Sequence, residues 1–318
     1  MRLLRGRVGD ASPARKRAAL ASLCVAAVLV PLVVRDGYVI HLLNVLGIYV
    51  ILSSGLNISV GLAGLLHLGY AGFYGLGAYC GAIISTRVVP GSWLGFWAGL
   101  PAAVAIGMLA GALVGAPSLR LRGHYFAIAT LGFGEIVRSL MLNLTGLTQG
   151  PFGIKAIPSP KLLALDLGQG PRFYYLVAAF ASLALYGIWN LQYGRFGRFW
   201  RAVREDETVA QVMGVDVFAA KMWALMISSA LAAVAGWLYA HYVSYINPSN
   251  FTLDESILVL CMVILGGRGT FWGPIIGSAL LVLFPELLRP IAELRLLVYG
   301  AALVVLMAVR PEGVVGAG

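Results

Sequence analysis

Charge is scarce in this chain: only 11% of its 318 residues are Asp, Glu, Lys or Arg, against 60% hydrophobic residues and a mean hydropathy of +0.87. A soluble fold has too little polar surface to cover that much apolar side chain, so a soluble domain is excluded. Cysteine is nearly missing too. Cys24, Cys80 and Cys261 sit singly inside apolar runs without CxxC spacing, so they read as packing residues rather than as disulfides or thiolate ligands. His41, His67, His124 and His241 lack metal-ligand spacing, and there is no HExxH, no GxSxG and no GxGxxG after a strand. Catalysis therefore has no visible seat, and neither a metal nor a cofactor is expected in this chain. Nor is there a GxxxxGK[ST] phosphate loop, so any ATP hydrolysis belongs to a separate polypeptide.

The charge that is present nets +10, but its Lys and Arg residues fall in short clusters between apolar runs, which is the pattern of membrane topology and not of a nucleic-acid face. Measured against the ~20 residues needed to cross a bilayer, apolar segments run over 18–34, 39–60, 61–86, 93–113, 124–142, 173–191, 221–246, 256–267, 271–288 and 291–309. With a cytoplasmic N-terminus, Arg120, Arg122, Arg195, Arg198, Arg201, Arg204, Arg268 and Arg310 all fall inside, as the positive-inside rule requires. The expected fold class is an all-α polytopic integral membrane protein with about 8–10 transmembrane segments and both termini cytoplasmic. Segment 61–86 is crowded with glycine and 256–267 is short, so either one is a candidate half-helix or re-entrant segment. Residues 1–17 form a basic cytoplasmic tail, and the absence of a small-residue cleavage pattern after 18–34 favours a retained first helix over a removed signal. The transmembrane domain then covers 18–310, with an extracytoplasmic turn-rich loop at 143–172, a cytoplasmic loop at 192–220 and a tail at 311–318.

The cytoplasmic loop predicts a short amphipathic helix. Asp206 is its N-cap, Glu205 and Glu207 place negative charge at the first turn, and Gly214 follows Met213 as a stop. Val209, Val212 and Met213 form a stripe at i, i+3 and i+4. Two turns are too few to be stable alone in water, so the stripe packs either on a partner protein or on the inner helix ends and lipid headgroups.

Glycine is the other conspicuous feature, at 61, 64, 69, 72, 75 and 77 and again at 266, 267, 269, 273 and 277. Glycines let helices touch, or they permit broken helices whose free backbone lines a solute path. Their clustering around the two irregular segments makes Asn57, Gly61, Gly64, His67, Tyr70, Gly266, Gly267 and Gly269 candidate path residues. Ser53 and Ser54 offer helix-to-helix hydrogen bonds. Glu135 and Arg138, three apart on one helical face, read as an intramembrane ion pair that offsets its own desolvation. No other acid lies deep in a predicted segment, so no proton relay is visible.

Four blocks carry a family resemblance. GLNISVGLAG from Gly55 with LGYAGFYGLGAY from Leu68, LRGHYFAIATLGFGEIVR from Leu121, RAVREDETVAQVMG from Arg201 and MVILGGRGTFWGP from Met262 resemble the Liv-type branched-chain amino acid ABC importer permeases, M-subunit branch. They stand in family order over 55–289. The resemblance implies that Thr208, Val209, Ala210 and Gly214 stand at the positions of the EAA-type loop, which would make Glu205 to Gly214, with Val212 and Met213, an ATPase-coupling helix. It also implies alternating access in the bacterial inner membrane, with a homologous second permease, two ATPase subunits and a soluble binding protein. Leu65, His67, Tyr70 and Val209 depart from the family pattern, which keeps urea, amides and aromatic acids open as solutes. An ion-coupled secondary transporter or channel working without an ATPase is the alternative from another class.

Overall fold

The computed structural model describes residues 36–90, 93–119, 124–162, 165–168, 171–287, 300 and 313–316. The expected segment 18–34, all of 291–309 but residue 300, the tail 1–17, and Cys24, Arg120, Arg122 and Arg310 lie outside these residues.

Helices dominate because lipid offers no partner for free N–H and C=O groups. Helix α1 covers Gly37–Leu56 and runs on as a π-helical turn, Asn57–Leu62; α2 covers Tyr70–Ile83, again closed by a π turn, Ile84–Val88. The bundle continues with α3 (Trp93–Ser118), α4 (His124–Asn143) and α5 (Pro171–Tyr193). Two short helices follow, α6 (Arg195–Glu205) and α7 (Glu207–Val212), then α8 (Val217–Val243), α9 (Leu253–Gly266) and α10 (Gly273–Leu287). Among the described residues six helices have the length and apolarity to cross a membrane, and Gly273–Glu286 is a shorter apolar helix. Each of the eight predicted segments that lie within the described residues meets one of these helices.

The end bearing Arg195, Arg198, Arg201, Arg204 and Arg268 is the cytoplasmic one by the positive-inside rule. At the opposite end the loop after α4 contains strand β1 (Ile154–Lys155) and a two-residue hairpin of β2 (Lys161–Leu162) with β3 (Leu165–Asp166). Strand β1 pairs antiparallel with β4 (Tyr245–Ile246), which follows α8.

Helix α8 is the centre of the bundle and packs on α1, α2 and α3. Its Ala224, Ala232, Ala233, Ala235 and Ala240 are fully buried, and a Cβ on Gly77 of α2 would overlap the backbone of Ala233. Small residues are needed here because lipid removes the hydrophobic drive between helices and leaves close van der Waals contact as the main attraction. Trp237, wholly buried, donates from Nε1 to the carbonyl of Phe96 at 3.1 Å.

The chain breaks where glycine permits it. Between Leu62 and Tyr70 it is non-helical, with Gly64 at φ +72°, and the Leu68 amide donates to Thr130 Oγ1 at 3.2 Å. The predicted single crossing 61–86 is therefore divided: its first residues finish α1, and α2 begins only at Tyr70. The second break joins α9 to α10 through Gly267 (φ +120°) and Gly269 (φ +80°). Two C-terminal amides close it, Val314 to the Leu265 carbonyl at 2.7 Å and Val315 to that of Gly266 at 3.0 Å.

Candidate functional site

At the cytoplasmic end α6 lies against the bundle. Trp200 is fully buried and donates to the Ala220 carbonyl at 2.8 Å, while Gly197 lets the helix meet the backbone of Gln192. This helix was not expected from sequence. Its signal was Phe196, Trp200 and Val203 at i, i+4 and i+7 among four arginines, which reads as an amphipathic surface helix. The arginines do more than mark the membrane surface. Arg201 donates to the carbonyls of Gly197 (3.1 Å) and Gln192 (3.4 Å), and Arg204 donates to the carbonyl of Gly61. Partial burial, together with the like charge of Arg268, lowers the pKa of the Arg204 guanidinium.

Helix α7 follows at once and has the predicted ends. Asp206 Oδ1 accepts from the amides of Thr208 (2.8 Å) and Val209 (3.0 Å), and Gly214 adopts φ +84°. Ala210 is buried beneath the helix, and Glu207 forms an ion pair with Lys221 of α8 at 2.5 Å. The apolar stripe faces away from the protein: Val209 is 58% exposed, Val212 82% and Met213 78%. Of the two settings open to the stripe, packing on the chain's own helix ends is not what these residues do.

Asn57, Gly61 and Gly269 of the candidate path residues meet in one fastening between the two glycine-rich segments. Asn57, in the π turn, donates to the Thr270 carbonyl and accepts from the Gly269 amide, both at 2.8 Å. Gln192 donates to the Gly269 carbonyl at 3.1 Å. A Cβ on Gly61 would overlap both Asn57 Oδ1 and the Gly269 nitrogen, and one on Gly266 would overlap the Gly273 carbonyl. Gly267 turns the chain for this contact. Of the remaining candidates, Gly64 in the non-helical stretch is exposed beside the Arg204 stem, whereas His67 in the same stretch and Tyr70, the first residue of α2, are buried. Tyr70 donates to the Ser228 carbonyl at 3.0 Å, and His67 lies edge-on to Tyr70 and Phe73 with ring centroids 5.3 and 5.2 Å away. Glycine here removes side chains so that backbones touch, and the amide of Asn57 is consumed by the contact.

Besides Asp254, which is exposed, two acidic groups sit within membrane spans among the described residues. Glu135 Oε2 accepts from Arg138 Nε at 2.9 Å, so the predicted pair exists. The second was missed: Glu255, near the start of α9, is hydrogen-bonded to Tyr49, with its Oε1 buried and lacking a partner among the described residues. It adjoins Asp254 ahead of the apolar run and so looked like a loop acid. The span in fact extends back to Pro248. Ser53 makes an interhelical bond, 2.7 Å from Ser278 Oγ, and Cys80 and Cys261 are free thiols. Among the described residues no cluster of His, Cys, Asp or Glu could hold a metal ion.

Fold and site together define a multi-pass membrane protein with an exposed apolar helix at its cytoplasmic end. The profile of the branched-chain amino acid transport system / permease component family matches residues 38–307, and the chain belongs to that family. It is 41% identical to the high-affinity branched-chain amino acid transport system permease protein LivM of Escherichia coli (strain K12), over 96% of this chain and 76% of that protein. It is 27% identical to the LivH permease protein of the same system and strain, over 84% of this chain and 91% of LivH. A probable LivM of Methanocaldococcus jannaschii is 31% identical over 58% of this chain and 53% of its own length. No solved structure matches. Membership makes the chain a multi-pass transport permease subunit of the bacterial inner membrane.

Proposed function

We propose that this chain is one permease subunit of an ATP-binding-cassette importer for branched-chain amino acids. It works with a second, homologous permease, two ATPase subunits that bind and hydrolyse the ATP, and a soluble binding protein. The observation that carries this reading is the outward stripe of Val209, Val212 and Met213 on a capped, anchored helix at the cytoplasmic end. Apolar side chains held rigidly toward water mark a surface that a protein partner covers. Closure of the ATPases would move α7, and α6 would pass the motion to the Gly61 carbonyl through Arg204. Similarity to LivM and LivH supports both the solute class and the pairing of two permeases.

The test is leucine, isoleucine and valine uptake into proteoliposomes containing this chain with or without the partners, with Val212→Glu beside the wild type. The expected result is uptake that requires ATP and every partner, and that Val212→Glu abolishes while the variant still inserts and melts like the wild type. Uptake by this chain alone, driven by a proton or sodium gradient, would overturn the proposal and direct attention to Glu255 and Glu135.

A further inference from the structure

Helix α6 has a second face. On one side Trp200 and Val203 are buried and Arg204 reaches the Gly61 carbonyl, so that side is fixed to the bundle. The side turned away carries Arg195, Arg198 and Phe199, with Phe196 at its edge. Phe196 is 43% exposed and Phe199 44%. Both arginines are exposed, and neither makes an ion pair among the described residues. The two kinds of side chain are sorted around the helix. At about 100° per residue, Arg198 lies to one side of Arg195, while Phe199 and Phe196 lie to the other, toward buried Val203. The first turn holds no acidic residue and no side chain caps it, so the helix dipole adds to the positive charge there. The level of this face is set by the preceding span. Helix α5 has 23 residues, and at about 1.5 Å per residue it is long enough to cross a ~30 Å hydrocarbon core. It ends at Tyr193, and after Gly194 alone α6 begins at Arg195. The arginines therefore stand where hydrocarbon gives way to headgroups on the cytoplasmic side. Half-exposed phenyl rings beside unpaired guanidinium groups suit that boundary and neither water nor hydrocarbon.

We propose that this face of α6 binds anionic phospholipid of the inner leaflet, Arg195 and Arg198 holding headgroup phosphates while Phe196 and Phe199 enter the acyl boundary. An arginine presents a planar fork that matches two phosphate oxygens at once, and the two arginines stand on adjacent turns. A zwitterionic lipid offers the same phosphate with a cation of its own, so it is held less tightly. The consequence for transport rests on the importer reading. Arg204 lies on the last turn of the same helix, and Asp206, which caps α7, directly follows it. Lipid that pins α6 therefore also fixes the base from which α7 moves. Without it, motion of α7 is taken up by α6 instead of reaching the Gly61 carbonyl.

Binding is tested by native mass spectrometry of the full chain titrated with phosphatidylglycerol or phosphatidylcholine in detergent. The variants are Arg195→Gln/Arg198→Gln and, removing the same charge at the opposite end, Lys155→Gln/Lys161→Gln. At an anionic surface each arginine is worth about fivefold, so the arginine variant should lose about 25-fold in phosphatidylglycerol affinity. The lysine variant should match the wild type, and Arg195→Lys/Arg198→Lys should recover most of the loss. High salt should weaken the wild type's preference for phosphatidylglycerol, which tests the contact even where a variant melts low. Equal losses in the two glutamine variants, or displacement of the lipid by inorganic phosphate, would overturn the proposal. So would an arginine variant that keeps the lipid but loses affinity for the ATPase, which would assign the face to the partner protein. The consequence is read as leucine delivered per ATP by the complete transporter in proteoliposomes. Wild-type delivery should fall several-fold when phosphatidylglycerol is replaced by phosphatidylcholine, and the arginine variant should be indifferent to the change. Wild-type delivery that ignores the lipid would overturn the link to coupling. If the binding results hold but wild-type uptake ignores ATP, the importer reading fails while the lipid surface stands.

Discussion

The fastening around Asn57 and helix α7 are neighbours at the cytoplasmic end, joined by the eleven residues of α6, yet they are built by opposite rules. In the fastening, polar groups are paired: the buried Asn57 amide donates to the Thr270 carbonyl and accepts from the Gly269 amide. On α7 apolar groups are left open, and nothing in the described chain covers Val212 or Met213. Paired polar groups have no reason to open, because each orphaned donor or acceptor would carry its full desolvation penalty. An uncovered apolar stripe has every reason to be covered. The first region is thus a permanent joint and the second an unfinished interface. Arg204, bonded to the Gly61 carbonyl and two residues before the Asp206 cap, belongs to both.

Filling the joint should break it most severely. In Gly61→Leu the new side chain must displace both Asn57 Oδ1 and the Gly269 amide. Overpacking together with two orphaned groups should lower stability by about 2–6 kcal/mol, read as a large fall in melting temperature and in monodisperse yield in detergent. Asn57→Ala removes the hydrogen bonds without adding volume and should lower stability by about 1–3 kcal/mol. Asn57→Asp keeps an acceptor for the Gly269 amide but turns a buried carboxylate oxygen toward the Thr270 carbonyl, so it should cost at least as much as Asn57→Ala. If Asn57→Ala melts like the wild type, the contact fastens nothing. Removing the cap with Asp206→Ala is smaller and local, about 0.5–2 kcal/mol. Hydrogen exchange should show it at the amides of Thr208 and Val209 and not at Gly269.

The same contrast explains what could be read from sequence. Apolar run lengths placed the membrane helices because the bilayer imposes one length scale on all of them. The ends of α7 were legible because capping is local: Asp206 and Gly214 act on amides and dihedrals a few residues away. The direction of the stripe was not, since i, i+3, i+4 spacing says that three side chains share a face and is silent about what the face meets. The glycines were ambiguous for a related reason. Gly61 and Gly269 are about two hundred residues apart, and only the assembled bundle brings one backbone against the other. Glu255 was hidden by a boundary, because the break between loop and span falls at Pro248, several residues before hydropathy rises.

The smallest effect on the protein alone should be the most informative about its partner. Val209→Ser combined with Met213→Ser changes side chains that touch little of their own chain, so stability should stay within about 0.5 kcal/mol of wild type. A face already solvated has nothing to lose in the isolated subunit. In the complex the same two positions would have been buried. Losing one or two apolar side chains from that contact should weaken ATPase binding by about 10- to 100-fold, measured by titrating the ATPase onto the permease pair in nanodiscs. Unchanged ATPase affinity together with altered headgroup contact in the bilayer would assign the stripe to the membrane surface. The joint and the stripe would then both serve the fold, and their contrast would carry no mechanism.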